Sequence, residues 1–189
     1  MKKLFALCLS ALLLLSLFGC GEAEKEEKQP AYLPFGLKFG MSYDAAVKQH
    51  SGIPALKPAD SNDGYFAGNE SGGNSPTYEQ IAEFFKEPDG LVCFLSPQLA
   101  YSFNENKELY ELYIMDSPFS EGMAESQFNL IYNYYKELLG DPTGDYESST
   151  ELRYEWETKD VNAMVILHAE DGNYLVMLTL HSNTYQLTD

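Results

Sequence analysis

The chain has 189 residues and a formal charge of −17 at neutral pH, which is enough chain for one ordinary domain or two small ones. Such an acidic protein is not expected to bind nucleic acid, because binding to phosphates relies on lysine and arginine. Hydrophobic residues make up 44% and aromatic residues 14% of the chain, which excludes a disordered protein. We therefore expect a folded domain with an aromatic core.

The first residues predict export. Met1-Lys2-Lys3 precedes an apolar run of fifteen residues, Leu4–Phe18, a pattern typical of an export signal; a membrane-spanning helix needs about 20 residues. The segment Leu17-Phe18-Gly19-Cys20 resembles the lipobox of bacterial lipoproteins. That resemblance implies a signal peptide of residues 1–19 and a lipid on the sulfur of Cys20. Ordinary cleavage after Gly21-Glu22-Ala23, which would release a secreted protein, is the alternative.

Removal of residues 1–19 leaves 10 basic and 29 acidic side chains, a formal charge of −19. Such a surface repels anionic lipid headgroups, so we expect contact with the membrane only through the lipid on Cys20. Residues 20–31 are charged and poor in apolar side chains, which predicts a flexible acidic tether. Cys93 is then the only other cysteine, and it is predicted to be a buried structural thiol rather than part of a disulfide.

Residues 32–116 are predicted to form a first α/β unit. Its first helix has Ser42 as N-cap and ends at Gly52. The stretch 53–76 is dense in Gly, Asn and Ser and is predicted to be a long loop. Residues 77–85 fit either a short helix opened by a capping box or an edge strand.

Three strands are predicted next, at Leu91–Leu95, Leu99–Phe103 and Leu109–Met115. The last two alternate between apolar and polar faces. A tight turn at Asn106-Lys107 would place three apolar pairs on one face: Phe103 with Tyr110, Tyr101 with Leu112, and Leu99 with Ile114. The other face would carry Ser102, Glu111 and Tyr113.

Residues 117–189 are predicted to form a second α/β unit, which opens with an amphipathic helix at Met123–Leu139. Its apolar face comprises Ala124, Phe128, Ile131, Tyr132, Tyr135, Leu138 and Leu139, and its polar face Asn129, Asn133, Lys136 and Glu137. Leu152–Glu157 alternates as a strand, with Leu152, Tyr154 and Trp156 on one side. Asp171-Gly172 predicts a type I′ hairpin between Val161–Ala169 and Tyr174–His181.

The two halves resemble each other. A shift of 65 residues places 101–115 over 166–180 with the turns coinciding, which predicts two tandem α-β-β-β units. The segment Phe39-Gly40-Met41-Ser42-Tyr43-Asp44 is similar to the helix start of small bacterial lipoproteins of the SmpA/OmlA type, and the tandem units resemble the beta-lactamase inhibitor protein fold. The resemblance implies an α+β fold: a curved antiparallel meander sheet with helices packed on one face and a partner surface on the other.

The chain carries no recognisable catalytic motif: Gly-x-Ser-x-Gly, a phosphate-binding glycine loop and His-Glu-x-x-His are all absent. His168 and His181 should lie six positions apart along one sheet face, or roughly 20 Å, which is too far to ligate one metal. His168 is expected to be a hydrogen-bonded core residue and Trp156 to lie in the core. Asp60–Gly64 and Asp141–Asp145 lack the spacing of a calcium loop. We expect no enzymatic activity, catalytic residue, metal or cofactor.

The leading functional hypothesis is a lipid-anchored, non-catalytic protein-binding or envelope-assembly module in the bacterial cell envelope, with an envelope protein as partner. Its predicted binding surface comprises Glu111 and Tyr113, together with Tyr174 and Val176, which the 65-residue shift places on the same outer face of the sheet. Coverage of that surface by the loop at 53–76 or by a helix is the alternative. The second hypothesis is a small-molecule or glycan receptor with that loop over a pocket, and the weakest is an envelope hydrolase.

Overall fold

The computed structural model describes residues 31–59, 64–68, 78–86, 94 and 97–186. In these residues the chain forms one antiparallel sheet of eight strands with three α-helices. The helices are α1 (Tyr43–Gln49), α2 (Tyr78–Phe84) and α3 (Glu121–Leu139). The strands are β1 (Lys57–Pro58), β2 (Tyr65–Gly68), β3 (Gln98–Phe103), β4 (Leu109–Asp116), β5 (Gly144–Glu147), β6 (Glu151–Glu157), β7 (Val161–Glu170) and β8 (Asn173–Ser182). The predicted α+β class with a meander sheet is therefore confirmed.

The strands run in the order β1-β2-β3-β4-β8-β7-β6-β5 across the sheet, and every neighbouring pair is antiparallel. Each half of the chain thus contributes a four-stranded meander. The two meanders meet where β4 pairs with β8. After β4, α3 carries the chain to the far edge, where β5 begins the second meander.

Helix α3 packs against the face of the sheet formed by β7 and β8; we call this the inner face and the opposite one the outer face. The helix buries Ala124, Phe128, Ile131 and Tyr135 there, in one cluster with residues such as Val165 and Leu178. The predicted apolar face of α3 is confirmed, and its predicted polar side is exposed. The helix begins two residues earlier than predicted, because Ser120 is its N-cap and accepts a hydrogen bond from Met123 N.

A buried polar pair joins α3 to the sheet. Gln127 Nε2 donates to Asp116 Oδ2 at 3.2 Å, and both residues are buried. Asp116 lies at the end of β4, and its other oxygen accepts from the backbone N of Ser117. Burial of a carboxylate is tolerated only when hydrogen bonds replace its lost hydration, and this pair therefore links α3 to the end of β4.

Helix α1 has the predicted N-cap: the Ser42 side chain accepts a hydrogen bond from Ala45 N. The helix ends at Gln49, earlier than the predicted Gly52, because the backbone of His50 is already extended. Gly40 precedes the helix with a φ of 78°, and its N donates to Leu109 O at 2.8 Å. A Cβ at position 40 would lie 2.3 Å from the ring of Tyr185, so this position requires glycine.

The β7–β8 hairpin has the predicted type I′ turn, since Asp171 and Gly172 both have positive φ, 52° and 77°. In the β3–β4 hairpin, the predicted pairs Tyr101–Leu112 and Leu99–Ile114 are confirmed. The predicted pair Phe103–Tyr110 is wrong: Phe103 pairs with Leu109, because a register shift separates this pair from Ser102–Glu111. The extra residue, Tyr110, lies on the outer face, where its ring meets that of His181.

The stretch predicted to be a loop, 53–76, contains the short strands β1 and β2, and residues 60–63 and 69–76 lie outside the described residues. Of the alternatives for 77–85, the helix is correct. Strand β5 was not predicted. Of the predicted strand Leu91–Leu95 only Phe94 is described, and it is fully buried without a strand assignment; Cys93 lies outside the described residues.

Candidate functional site

The outer face presents an ordered array of side chains from β4, β8, β7 and β6. The register pairs Glu111 with His181, Tyr113 with Thr179, and Met115 with Met177. Because side chains in one cross-strand row point to the same side of a sheet, these six residues share the outer face. β7 extends the rows with Asn162, Met164 and Ile166, and β6 extends them with Glu157, Glu155 and Arg153.

The polar end of this array is centred on the carboxylate of Glu111. Its Oε1 lies 3.7 Å from His181 Nδ1, and the side chains of Glu111 and His181 are 15% and 31% exposed. Tyr110 packs edge-on against the His181 ring with the centroids 5.6 Å apart. Burial by itself raises the pKa of Glu111, but hydrogen bonds from His181, Tyr113 and Ser102 outweigh it, so the pKa of this carboxyl lies below its ordinary value.

The Glu111 carboxylate has the opposite effect on the pKa of its neighbour Tyr113. Burial, and then the hydrogen bond to the Glu111 carboxylate and its charge, raise the pKa of the Tyr113 hydroxyl far above its ordinary value. The hydroxyl is therefore a hydrogen-bond donor at any physiological pH and is held towards Glu111. In a catalytic triad the histidine lies between the nucleophile and the carboxylate. In this cluster the Glu111 carboxylate lies at the centre instead, and His181 does not join it to a nucleophile, so the arrangement is not that of a triad.

The centre of the outer face is apolar. Met115, Met177 and Ile166 lie side by side on β4, β8 and β7, and Met164 follows in the next row; all four remain partly exposed. Thr179 lies between Tyr113 and Met164, and its Oγ1 is buried without a hydrogen-bond partner among the described residues. These four side chains therefore keep part of their apolar area exposed on one face of the sheet, as side chains in a contact surface do.

Two of the four predicted binding residues lie elsewhere. Val176 pairs with Asp116 on the inner face and is 1% exposed, and Tyr174 packs against the core cluster. Their predicted outer-face position is wrong, whereas Glu111 and Tyr113 do lie on the outer face. The 65-residue shift aligns the turns of the two hairpins but exchanges the faces of their strands, because a slip of one residue moves every side chain to the other face.

The outer-face residues that were missed are Met177, Thr179 and His181 of β8. The only local signal was that the alternate positions Val176, Leu178 and Leu180 are uniformly aliphatic, whereas the missed set includes threonine and histidine. Because Leu175 and Met177 make the other face partly apolar too, this signal did not decide which face is the core. Alternation of that kind distinguishes a core face from a solvated one.

His168 also differs from its prediction. It pairs with Leu175 as expected, but its side chain is 39% exposed and lies 3.7 Å from Glu170, so it is a surface residue and not a core histidine. Trp156 is in the core as predicted: it is 1% exposed, and its Nε1 donates to Gly140 O at 2.9 Å. In the Asp141–Asp145 segment, Asp141 pairs with Lys136 at 3.0 Å.

A second group of polar atoms lies on the inner side. The His50 ring stacks on Phe35 with the centroids 4.1 Å apart, and it lies 6.4 Å from the ring of Tyr101. Within the described residues, neither His50 Nε2 nor Tyr101 Oη has a hydrogen-bond partner. Burial lowers the pKa of His50 and raises the pKa of Tyr101, so both side chains are neutral at physiological pH.

The buried His50 predicts a pH-dependent stability. The folded pKa lies below the ordinary value of 6.5, so the unfolded chain binds more protons as the pH falls through 6.5 towards the folded pKa. The free energy of unfolding is therefore expected to be highest above pH 6.5 and to fall on acidification. In urea titrations at about pH 7.5 and about pH 5.5, His50→Gln should lose less stability between the two pH values than the wild type.

The matched control is His168→Gln, since that side chain lies at the surface and is 39% exposed. It should lose as much stability on acidification as the wild type does. A His50→Gln variant whose stability falls just as steeply as that of the wild type would show that His50 is not the responsible group.

No group of three or more metal-ligating side chains lies close together among the described residues. Within the same residues, no helix is long and apolar enough to cross a membrane. The predicted lipidation site, Cys20, and the calcium-like segment at Asp60 lie outside the described part of the chain.

No protein-family model matches the chain, and comparisons with curated proteins and with solved structures likewise found no match. The resemblance to SmpA/OmlA-type lipoproteins and to the beta-lactamase inhibitor protein fold therefore remains a prediction. It depends on residues 39–44 and on the arrangement of helices and strands.

Proposed function

We propose that the protein is a lipid-anchored, non-catalytic binding module of the bacterial cell envelope, and that a partner protein docks on the outer face of its sheet. The observation that carries the proposal is the outer face itself. There, Tyr113, Met164 and Met177 are partly exposed around the hydroxyl of Thr179, which has no hydrogen-bond partner within the described residues. Aromatic and methionine side chains are enriched in the centres of protein interfaces.

The position of the first described residues, Ala31 and Tyr32, is compatible with this proposal. Tyr134 Oη and Tyr135 Oη of α3 donate to the backbone oxygens of Ala31 and Tyr32 at 3.0 and 2.8 Å. The first described residues are therefore held by the helix layer, and the outer face lies on the opposite side of the sheet.

The proposal includes two tandem units in a curved sheet. It is supported by the order of the strands, since β1–β4 and β5–β8 each form a meander and the last strands of the two meanders pair with each other. A helix precedes each meander, α1 before the first and α3 before the second.

The binding part of the proposal predicts that Tyr113→Ala weakens capture of the partner from envelope extracts. Truncation of a central interface tyrosine costs about 2 kcal/mol or more of binding free energy. Capture by the immobilised variant is compared with capture by the wild type, after circular dichroism has shown that both are folded. Asn133→Ala, on the exposed side of α3, is the control and should capture as much partner as the wild type. Equal capture by all three proteins would exclude the outer face as the docking surface.

The anchoring part predicts that Cys20→Ala releases the protein from membranes, because the thiol is the acceptor in the lipobox-like segment and each buried CH₂ of an acyl chain contributes about 0.8 kcal/mol. Fractionation after a high-salt wash should find the wild type with the membranes and the variant in the soluble fraction. A variant that stays with the membranes would contradict the lipoprotein assignment.

A further inference from the structure

The apolar centre of the outer face is built from methionines on neighbouring strands. We name Met115, Met164, Met177 and Ile166 the methionine strip; they occupy β4, β7 and β8 in two adjacent rows. Methionine is unbranched and polarisable, so a surface rich in it adapts to apolar side chains of different shapes. The strip therefore suits the apolar side of an amphipathic segment.

The two borders of the strip carry carboxylates. On β4, Glu111 lies beyond Tyr113, two positions along the outer face from Met115. On β6, Glu155 pairs with Met164, and Glu151 and Glu157 lie further along the same face of that strand; we name these four residues the rim carboxylates. The single arginine of β6, Arg153, is already paired, since its Nε lies 3.0 Å from Glu155 and another of its nitrogens lies 3.8 Å from Glu151. The borders of the strip therefore keep a negative charge that a cationic partner would complement.

From these observations, and resting on the proposed function, we propose that the partner segment is a cationic amphipathic helix. Its apolar side contacts the methionine strip, and its lysines or arginines reach the rim carboxylates. Three strand spacings separate β4 from β6, or about 14 Å. At 1.5 Å per residue, a helix lying across the strands would carry its two groups of cations about ten residues apart.

The first test uses three synthetic peptides of equal length: a leucine–lysine amphipathic helix, the same helix with glutamate in place of lysine, and a lysine–serine peptide with the same charge but no apolar side. Binding to the full chain carrying Cys20→Ala is measured by titration calorimetry. We expect binding of the leucine–lysine peptide alone, with an affinity that falls as salt is added.

Charge reversal locates the binding surface. Glu155→Lys/Glu157→Lys is expected to weaken binding of the leucine–lysine peptide about tenfold, or ~1.4 kcal/mol. Glu125→Lys/Glu137→Lys makes the same change in net charge on the exposed side of α3 and should leave the affinity within about twofold. Equal losses in the two variants would overturn the proposal, because they would show attraction by net charge alone.

The wild-type methionines give a second measurement that does not depend on a variant folding. Bound peptide should slow peroxide oxidation of Met115, Met164 and Met177, as read by mass spectrometry, and leave Met123 of α3 unaffected. Equal protection of Met123, or no binding of the leucine–lysine peptide, would overturn the proposal. If Tyr113→Ala still abolishes partner capture in that case, the proposed docking surface stands and only the cationic helix is wrong.

Discussion

Replacing Trp156 by alanine is expected to lower the free energy of unfolding by about 3–5 kcal/mol. The indole is 1% exposed and contacts the rings of Tyr132 and Tyr135 on α3, with centroids 5.8 and 6.2 Å away. Its Nε1 also donates to the carbonyl oxygen of Gly140, the residue that caps the C-terminus of α3. The substitution removes both the packing and that hydrogen bond.

Urea denaturation followed by circular dichroism measures the effect. Trp156→Phe keeps an aromatic ring but leaves Gly140 O without its donor, so it should lose less stability than Trp156→Ala. The control is Glu157→Ala, because Glu157 follows Trp156 in β6 and is exposed. This variant is expected to change the free energy of unfolding by less than about 0.5 kcal/mol. An alanine variant as stable as this control would show that Trp156 does not hold α3 against the sheet.

Phe128→Ala and Ile131→Ala are expected to lower the free energy of unfolding by about 2–5 kcal/mol each. Both side chains are buried, 2% and 1% exposed, between α3 and the inner face, and truncation leaves a cavity that the sheet cannot collapse to fill. Asn133→Ala, on the opposite side of α3, should have little effect, and a small gain is possible because alanine favours helix.

Chemical denaturation of the three variants distinguishes the two sides of the helix. If Asn133→Ala destabilised the protein as much as Phe128→Ala, the rotation of α3 about its axis would be wrong. Because the ring centroids of Phe128 and Tyr154 on β6 lie 5.9 Å apart, combining Phe128→Ala with Tyr154→Ala should give a loss that differs from the sum of the two single losses.

The function proposed here depends on one face of the sheet. Glu111 is held ionised by its hydrogen-bond donors, and the methionine strip lies on the same face beyond Tyr113 and Thr179, so the outer face combines fixed charge with adaptable apolar surface. That combination is the basis on which we propose recognition of a cationic amphipathic segment.

The elements that were predicted correctly are those with a strong local pattern. Helix α3 follows from the 3.6-residue period of Phe128, Ile131 and Tyr135, and the β7–β8 hairpin follows from Asp171-Gly172, whose positive φ values suit that turn. Strand β6 follows from its alternation. Each depends on residues close together in the chain, so the sequence carries the whole signal.

The elements that were missed depend on distant partners. Strands β1, β2 and β5 are at most four residues long, and β1 and β2 contain proline and glycine, which local propensity disfavours in strands. They form because an adjacent strand offers unpaired backbone groups. Tyr110 was assigned to the wrong face because one register shift in the β3–β4 hairpin changes its orientation.

The sequence by itself determined the class of fold, the orientation of α3, the core position of Trp156 and the outer position of Glu111 and Tyr113. Only the tertiary structure decided which face of β8 is the core, because that depends on the pairing of β4 with β8, two strands separated by α3 and the rest of the second meander. That pairing places Met177, Thr179 and His181 beside Met115, Tyr113 and Glu111. A single-residue difference in register would have buried these three side chains instead, since neighbouring residues in a strand point to opposite faces.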